Sequence, residues 1–269
     1  MRLWYQLVSS ERGMNHMIGA IQRLCNEAAD PGTTVEVRGT AHGALGDQYR
    51  LFLNYDAREI LDNAMDVRRG GGYDAFLLGN SLDPALVELR ELLEIPVLTF
   101  MEVACHTACM MGSRFGLIAT NQRLVPRYLE IVAGYGLRDR FSGASAIDFS
   151  NIRALNDVFA DREAGRACVD QILEAARRNL DQGAEVIIPT GPLTALLRMH
   201  GVNELEGAPL LDCQSLLVKA GELMVKMKRL TGQHVSRRLL YEAPSPMLLE
   251  HIAEVRSIAK LQANKNTPQ

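Results

Sequence analysis

Five cysteines in 269 residues are too sparse, and odd in number, for a disulfide framework in a chain this long. A reduced cytoplasm is the expected setting. No window reaches the roughly 20 consecutive apolar residues that a membrane span needs. The opening MRLWYQLVSSERG lacks the long apolar core and the small-residue cleavage site of a signal peptide, and reads as a buried strand. Neither sign of charge dominates: the formal net charge is −3, so no positive field exists to hold a nucleic-acid backbone or an anionic bilayer. Phosphate loops are missing too. The run RRGGGYD has neither the glycine spacing nor the placement of a dinucleotide or phosphate site, and reads as a turn before a strand. No cofactor is expected, and the expected partner is a small polar or anionic molecule.

What is present is enough apolar material, 47% of residues, for one large or two medium domains. Short apolar runs (RLWYQLV, TTVEVRG, YDAFLLGN, IPVLTF, then RFGLIAT, FSGASAI, AEVIIPTG, APLLDC) alternate with stretches of helical period. Helices are expected over Ser10 to Ala29, over Glu163 to Asp181 with Gly183 as a stop, and from Ser245 onward with Pro246 in the first turn. The final NKNTPQ offers nothing to pack and is expected to fray. The second set of four strands follows the first at an offset of about 112 residues: Arg2 corresponds to Arg114, Asp74 to Glu185 and Ile95 to Ala208. The expected fold is therefore α/β, with two pseudo-symmetric Rossmann-like or flavodoxin-like halves, each a four-stranded, mainly parallel sheet flanked by helices. Residues 1–98 plus 214–269 form the expected first half and 99–213 the second.

Ligands of such sheets bind beyond the carboxyl ends of the strands. That rule selects Ser9 and Ser10, Gly79, Asn80 and Ser81, Glu102 with His106, Thr120 and Asn121, Thr190 and Gly191, and Cys213 after Asp212. Ser9/Ser10 and Thr120/Asn121 are mates under the repeat, so they are read as matching helix-start cradles for an anion or as plain helix caps. Glu102 and His106 are four apart, on one face of a helix, as a general base and its orienting partner or as a structural ion pair. Cys213 is a cleft nucleophile or a small buried hydrophobe. Cys105 and Cys109 share a face of that helix, but Cys105 sits about 100° from His106, so no metal site is expected.

The segments FMEVACHTACMMGSRFGLIAT, GNSLDPALVELRELLEIPV and APLLDCQSLLVKAGELM resemble those of the aspartate/glutamate/hydantoin racemase superfamily over nearly the whole chain. The resemblance implies two α/β halves around a central site, with one catalytic cysteine at the third strand end of each half. Here those positions carry Asn80 and Gly191, neither of which can exchange a proton at neutral pH. Inversion by two thiols is thus unavailable. Three readings remain: a hydrolase of a C–N bond in a small cyclic amide, lactam or imide, with Glu102 and His106 activating water and Asn80 steadying the oxyanion; a racemase or isomerase of amino-acid or hydantoin derivatives using other acid/bases; and a non-catalytic binding protein. The Met-rich LLVKAGELMVKMKRL and the last helix fit a homo-oligomer contact or core packing equally well.

Overall fold

Each strand of the first sheet is followed by a helix, and the chain accordingly winds as a repeated parallel unit. The computed structural model describes residues 1–44, 46–149, 152–256 and 258. The first half runs β1 (Arg2–Ser10), α1 (Asn15–Ala28), β2 (Thr34–Thr40), α2 (Arg50–Gly70), β3 (Ala75–Leu78), α3 (Leu86–Leu92) and β4 (Val97–Thr99). After α4 (Phe100–Met111) come β5 (Phe115–Ala119), α5 (Val125–Gly134), β6 (Phe141–Ala146), α6 (Ile152–Ala160), α7 (Arg162–Asp181), β7 (Val186–Pro189) and α8 (Leu193–Met199). A hairpin of β8 (Glu204–Leu205) and β9 (Ala208–Pro209) leads into α9 (Cys213–Thr231), and α10 (Pro246–Val255) follows. The NKNTPQ tail lies outside the described residues.

The first sheet has the order β2-β1-β3-β4, all parallel, and the second has β6-β5-β7. Strands β3, β5 and β7 are buried at every position, as parallel strands covered on both faces must be. Register makes the repeat explicit: Tyr5 lies beside Leu77, and Leu117 beside Ile188. Carried two or three residues on, the same register makes Gly79 the mate of Thr190 and Asn80 the mate of Gly191. The expected fourth strand of the second sheet is reduced to one parallel bridge, Ile187 with Leu210. Pro209 has no N–H to donate to a ladder, and the preceding residues are taken up by the β8–β9 hairpin.

Two crossings knit the halves together. Helix α4 leaves the first sheet and packs on β7, whereas α9 leaves the second and packs on β3 and β4. Each start is capped by a side chain that follows the third strand of the same half, Asp83 in the loop after β3 and Thr194 in the first turn of α8. Asp83 accepts the N–H groups of Met101 (3.0 Å) and Glu102 (2.9 Å), and Thr194 Oγ1 accepts that of Cys213 (3.0 Å). Thr99 and Tyr135 hydroxyls also donate to Asp83. Helix α1 begins at Asn15 rather than at Ser10, because β1 continues through Ser10; its first N–H groups, those of His16 and Met17, are taken by Asn156 Oδ1 of α6. No helix among the described residues is long and apolar enough to cross a membrane.

Candidate active site

The carboxyl edges of the two sheets meet around one cavity, of which about 80 Å³ is open to the centre of a water molecule. Ser9, Gly79, Asn80, Ser81, Thr120, Asn121, Thr190 and Gly191 all line it. That volume is several times what one water requires, and it suits a small molecule. Gly79 must be glycine, since a Cβ there would run into the Tyr5 ring beneath it. Gly191 has φ +55°, and the first atom a Cβ would meet is Ser81 Oγ at 3.9 Å, so open space stands where its side chain would be.

The polar walls are ordered by their own hydrogen bonds. Thr190 Oγ1 donates to Ile118 O (2.7 Å), Tyr128 Oη donates to Thr190 Oγ1 (3.0 Å), and Ser81 Oγ lies 2.9 Å from Tyr128 Oη. With the Tyr128 proton committed to Thr190, Ser81 is the donor of the last bond and keeps acceptor capacity. Burial pushes the Tyr128 hydroxyl up to about 12, so it stays protonated at neutral pH. Asn80 Oδ1 accepts from Leu82 N (2.8 Å), which fixes the amide and leaves its two Nδ2 protons for a ligand. Gln214 Nε2 holds the carbonyl of Gly191 at 3.0 Å.

Asp47 is the carboxylate of this cavity. It belongs to the segment between β2 and α2, and removal from water together with the neighbouring Asp56 pushes its carboxyl up to about 7. A group with that value exchanges protons at neutral pH with little penalty in either direction. No Lys, Arg or His is among the lining residues described, so backbone N–H groups and amides are the donors available to a ligand.

Four sequence-selected residues lie elsewhere. Ser10 turns away: its hydroxyl donates to Ala41 O (2.9 Å) and accepts from Arg12 N (3.2 Å), which closes a turn instead of starting a helix. Glu102 is gripped by both terminal nitrogens of Arg90 (3.1 and 2.5 Å) and is not part of the cavity wall. His106 is exposed and bonds the backbone carbonyl of Glu102 (2.7 Å) rather than its carboxylate, so the expected base pair does not form. Cys213 is sealed at 1% exposure, with its thiol against Leu211 O and its pKa raised well above the usual range by burial, so it cannot act as a cleft nucleophile. Among the described residues no three His, Cys, Asp or Glu side chains gather as a metal site.

Sequence reasoning passed over Asp47, Tyr128, Gln214 and Phe149. The available signal for two of them was the strand-end rule itself, applied to β1, β3, β4, β5, β7 and the last apolar run but not to β2 and β6, whose following loops supply Asp47 and Phe149. Tyr128 and Gln214 come from helix faces, which that rule does not reach.

A family model for Asp/Glu/hydantoin racemases matches residues 12–221. A hydantoin racemase from Rhizobium meliloti is 27% identical over 172 residues, covering 63% of this chain and 68% of that protein. The crystal structure of an allantoin racemase from Pseudomonas fluorescens superposes with a TM-score of 0.75 at 22% identity, over 91% of this chain and 98% of that one. An allantoin racemase from Klebsiella pneumoniae gives 0.70 at 22% identity, over 91% and 94%. With its duplicated parallel sheets meeting at one cavity, and with the family match spanning most of its length, the chain belongs to the Asp/Glu/hydantoin racemase family.

Proposed function

We propose that this protein moves a proton at a carbon next to a carbonyl in a small, uncharged, nitrogen-containing ring of the hydantoin type, with Asp47 as its acid/base and no cofactor. The observation that carries the reading is the Asp47 carboxyl, poised near neutrality, in a cavity whose other described lining residues are neutral amides, hydroxyls and apolar groups. Family membership supports racemase-type chemistry. Among the described residues the lining carries no cationic side chain, which favours a neutral ring over a free carboxylate, whose charge would be left without a partner.

In the forward step the Asp47 carboxylate takes the proton from carbon, and the electron pair moves onto the carbonyl oxygen as an enolate. Asn80 Nδ2 and the strand-end N–H groups stabilise that oxygen, being fixed before the charge develops. Reversal returns the proton. Because Asp47 addresses one face only, exchange with retention outruns inversion, which needs a second proton from water on the other side.

The open space at Gly191 favours one second reading, ring opening by a water that Asp47 activates and Asn80 orients. Incubation with a 5-substituted hydantoin separates the two. In ²H₂O the first reading gives deuterium at the ring carbon with the ring intact; in H₂¹⁸O the second gives a ring-opened product carrying ¹⁸O. An inert hydantoin in both solvents would contradict both.

A further inference from the structure

The carboxylate assigned to catalysis sits in a segment of the first half whose side chains are tied to the second half. Gly46, at φ +98°, opens a turn closed by the Tyr49 N–H on Gly46 O (2.8 Å), and Arg50 begins α2. From that turn Arg50 reaches Glu130 of α5 with both carboxylate oxygens inside hydrogen-bond range (2.6 and 2.5 Å). Tyr49 offers its ring to Arg123, whose guanidinium carbon stands 4.5 Å from the centroid. Neither partner is placed by chance. The Arg123 N–H is held by Asn121 Oδ1 of the cavity wall (3.1 Å), and Glu130 lies on the helix that carries Tyr128. Side-chain exposure at the Arg50–Glu130 pair is 62% and 52%, so its contribution to global stability is small.

We propose that Arg50–Glu130 and Tyr49–Arg123 are positioning pairs that hold the Gly46–Arg50 segment across the cavity mouth and so keep Asp47 against the bound ring. The inference rests on the reading of Asp47 as the acid/base. Among the described residues the charged and titratable groups facing Asp47 are Asp56 of α2, with Glu59 behind it, and Tyr128 of α5, and none of these is a cation. Desolvation therefore governs its protonation, and whatever lets the segment swing into water lowers its affinity for a proton.

The test follows the Asp47 carboxyl carbon by NMR titration in the wild type, in the double variant Glu130→Gln/Arg123→Met, and in Arg166→Gln, a control for an exposed pair on α7. Wild type and control are expected to titrate near 7, and the double variant closer to the ordinary carboxylate range. Deuterium exchange into a 5-substituted hydantoin should fall ~10-fold or more in the double variant, in kcat rather than KM, because misplacement of a reacting group costs rate before binding. A midpoint near 7 in all three proteins overturns the positioning role and leaves Asp47 as the acid/base. An ordinary midpoint in the wild type overturns the acid/base assignment, and the positioning role with it.

Discussion

Asp47 shows how one side chain acquires a role from its surroundings. Its ordinary value is 3.8 and its value in the fold is about 7. Between those pH values the folded state holds a proton that the unfolded chain has released, so stability from this group falls as pH rises through that window. Asp47→Asn removes the penalty. Thermal melts should show the variant ~2–4 °C more stable than the wild type at pH 8, the shift that accompanies about 1 kcal/mol at this chain length, with the figure discounted for the partial exposure of Asp47. The difference should vanish near pH 4. A variant that melts lower at pH 8 would mean that the carboxylate makes favourable contacts outweighing its desolvation. Sequence showed the aspartate but not its value, because desolvation and the nearness of Asp56 arise only when the loop after β2 folds over the cavity.

At the scale of elements, the loop GNSLDP between β3 and α3 does two jobs at once. Its first residues, Gly79 to Ser81, face the cavity, and Asp83 caps α4 as Thr194 caps α9 in the other half. Burial raises the Asp83 carboxyl to about 6 even though four donors converge on it. Asp83→Ala strands the Met101 and Glu102 N–H groups and the Thr99 hydroxyl. It should cost about 2 kcal/mol, a fall in Tm of ~4–8 °C, measurable by calorimetry at pH 5, below the value at which the folded carboxyl ionises and its burial penalty is incurred in full. An unchanged Tm would show that water replaces the carboxylate without penalty.

The same scale shows what apolar periodicity and strand-end polarity can and cannot specify. They placed β1 to β7, the helix over 162–181 with its Gly183 stop, and the Ser245 cap that accepts from Leu248 N, but not the last expected strand, which is only a bridge at Leu210. Four-residue spacing put Glu102 and His106 on one face. It could not show that Arg90, twelve residues earlier in a different helix, would claim the carboxylate. Charge pairing across the fold outranked pairing within the helix.

For the molecule as a whole, duplication explains why a single chain makes a two-walled site. Equivalent strand ends arrive from opposite sides, with α4 and α9 crossing between the halves. The walls are equivalent in backbone and unequal in chemistry: Asn80 in one corresponds to Gly191 in the other, and the proposed acid/base, Asp47, enters from the β2–α2 segment of one half alone. That asymmetry is why the proposed proton transfer is one-sided. The resemblance in sequence carried the architecture and located the two unoccupied thiol positions, but the replacement acid stands outside the motifs that carry it.

The most direct measurement is the pH dependence of deuterium incorporation at the ring carbon of a 5-substituted hydantoin in ²H₂O, compared among the wild type, Asp47→Asn and Glu102→Gln. A single inflection near 7 is predicted in the wild type and in Glu102→Gln, with incorporation at least ~100-fold slower in Asp47→Asn, the scale of a lost general base. Full-rate incorporation in Asp47→Asn, or its loss in a folded Glu102→Gln, would contradict the account.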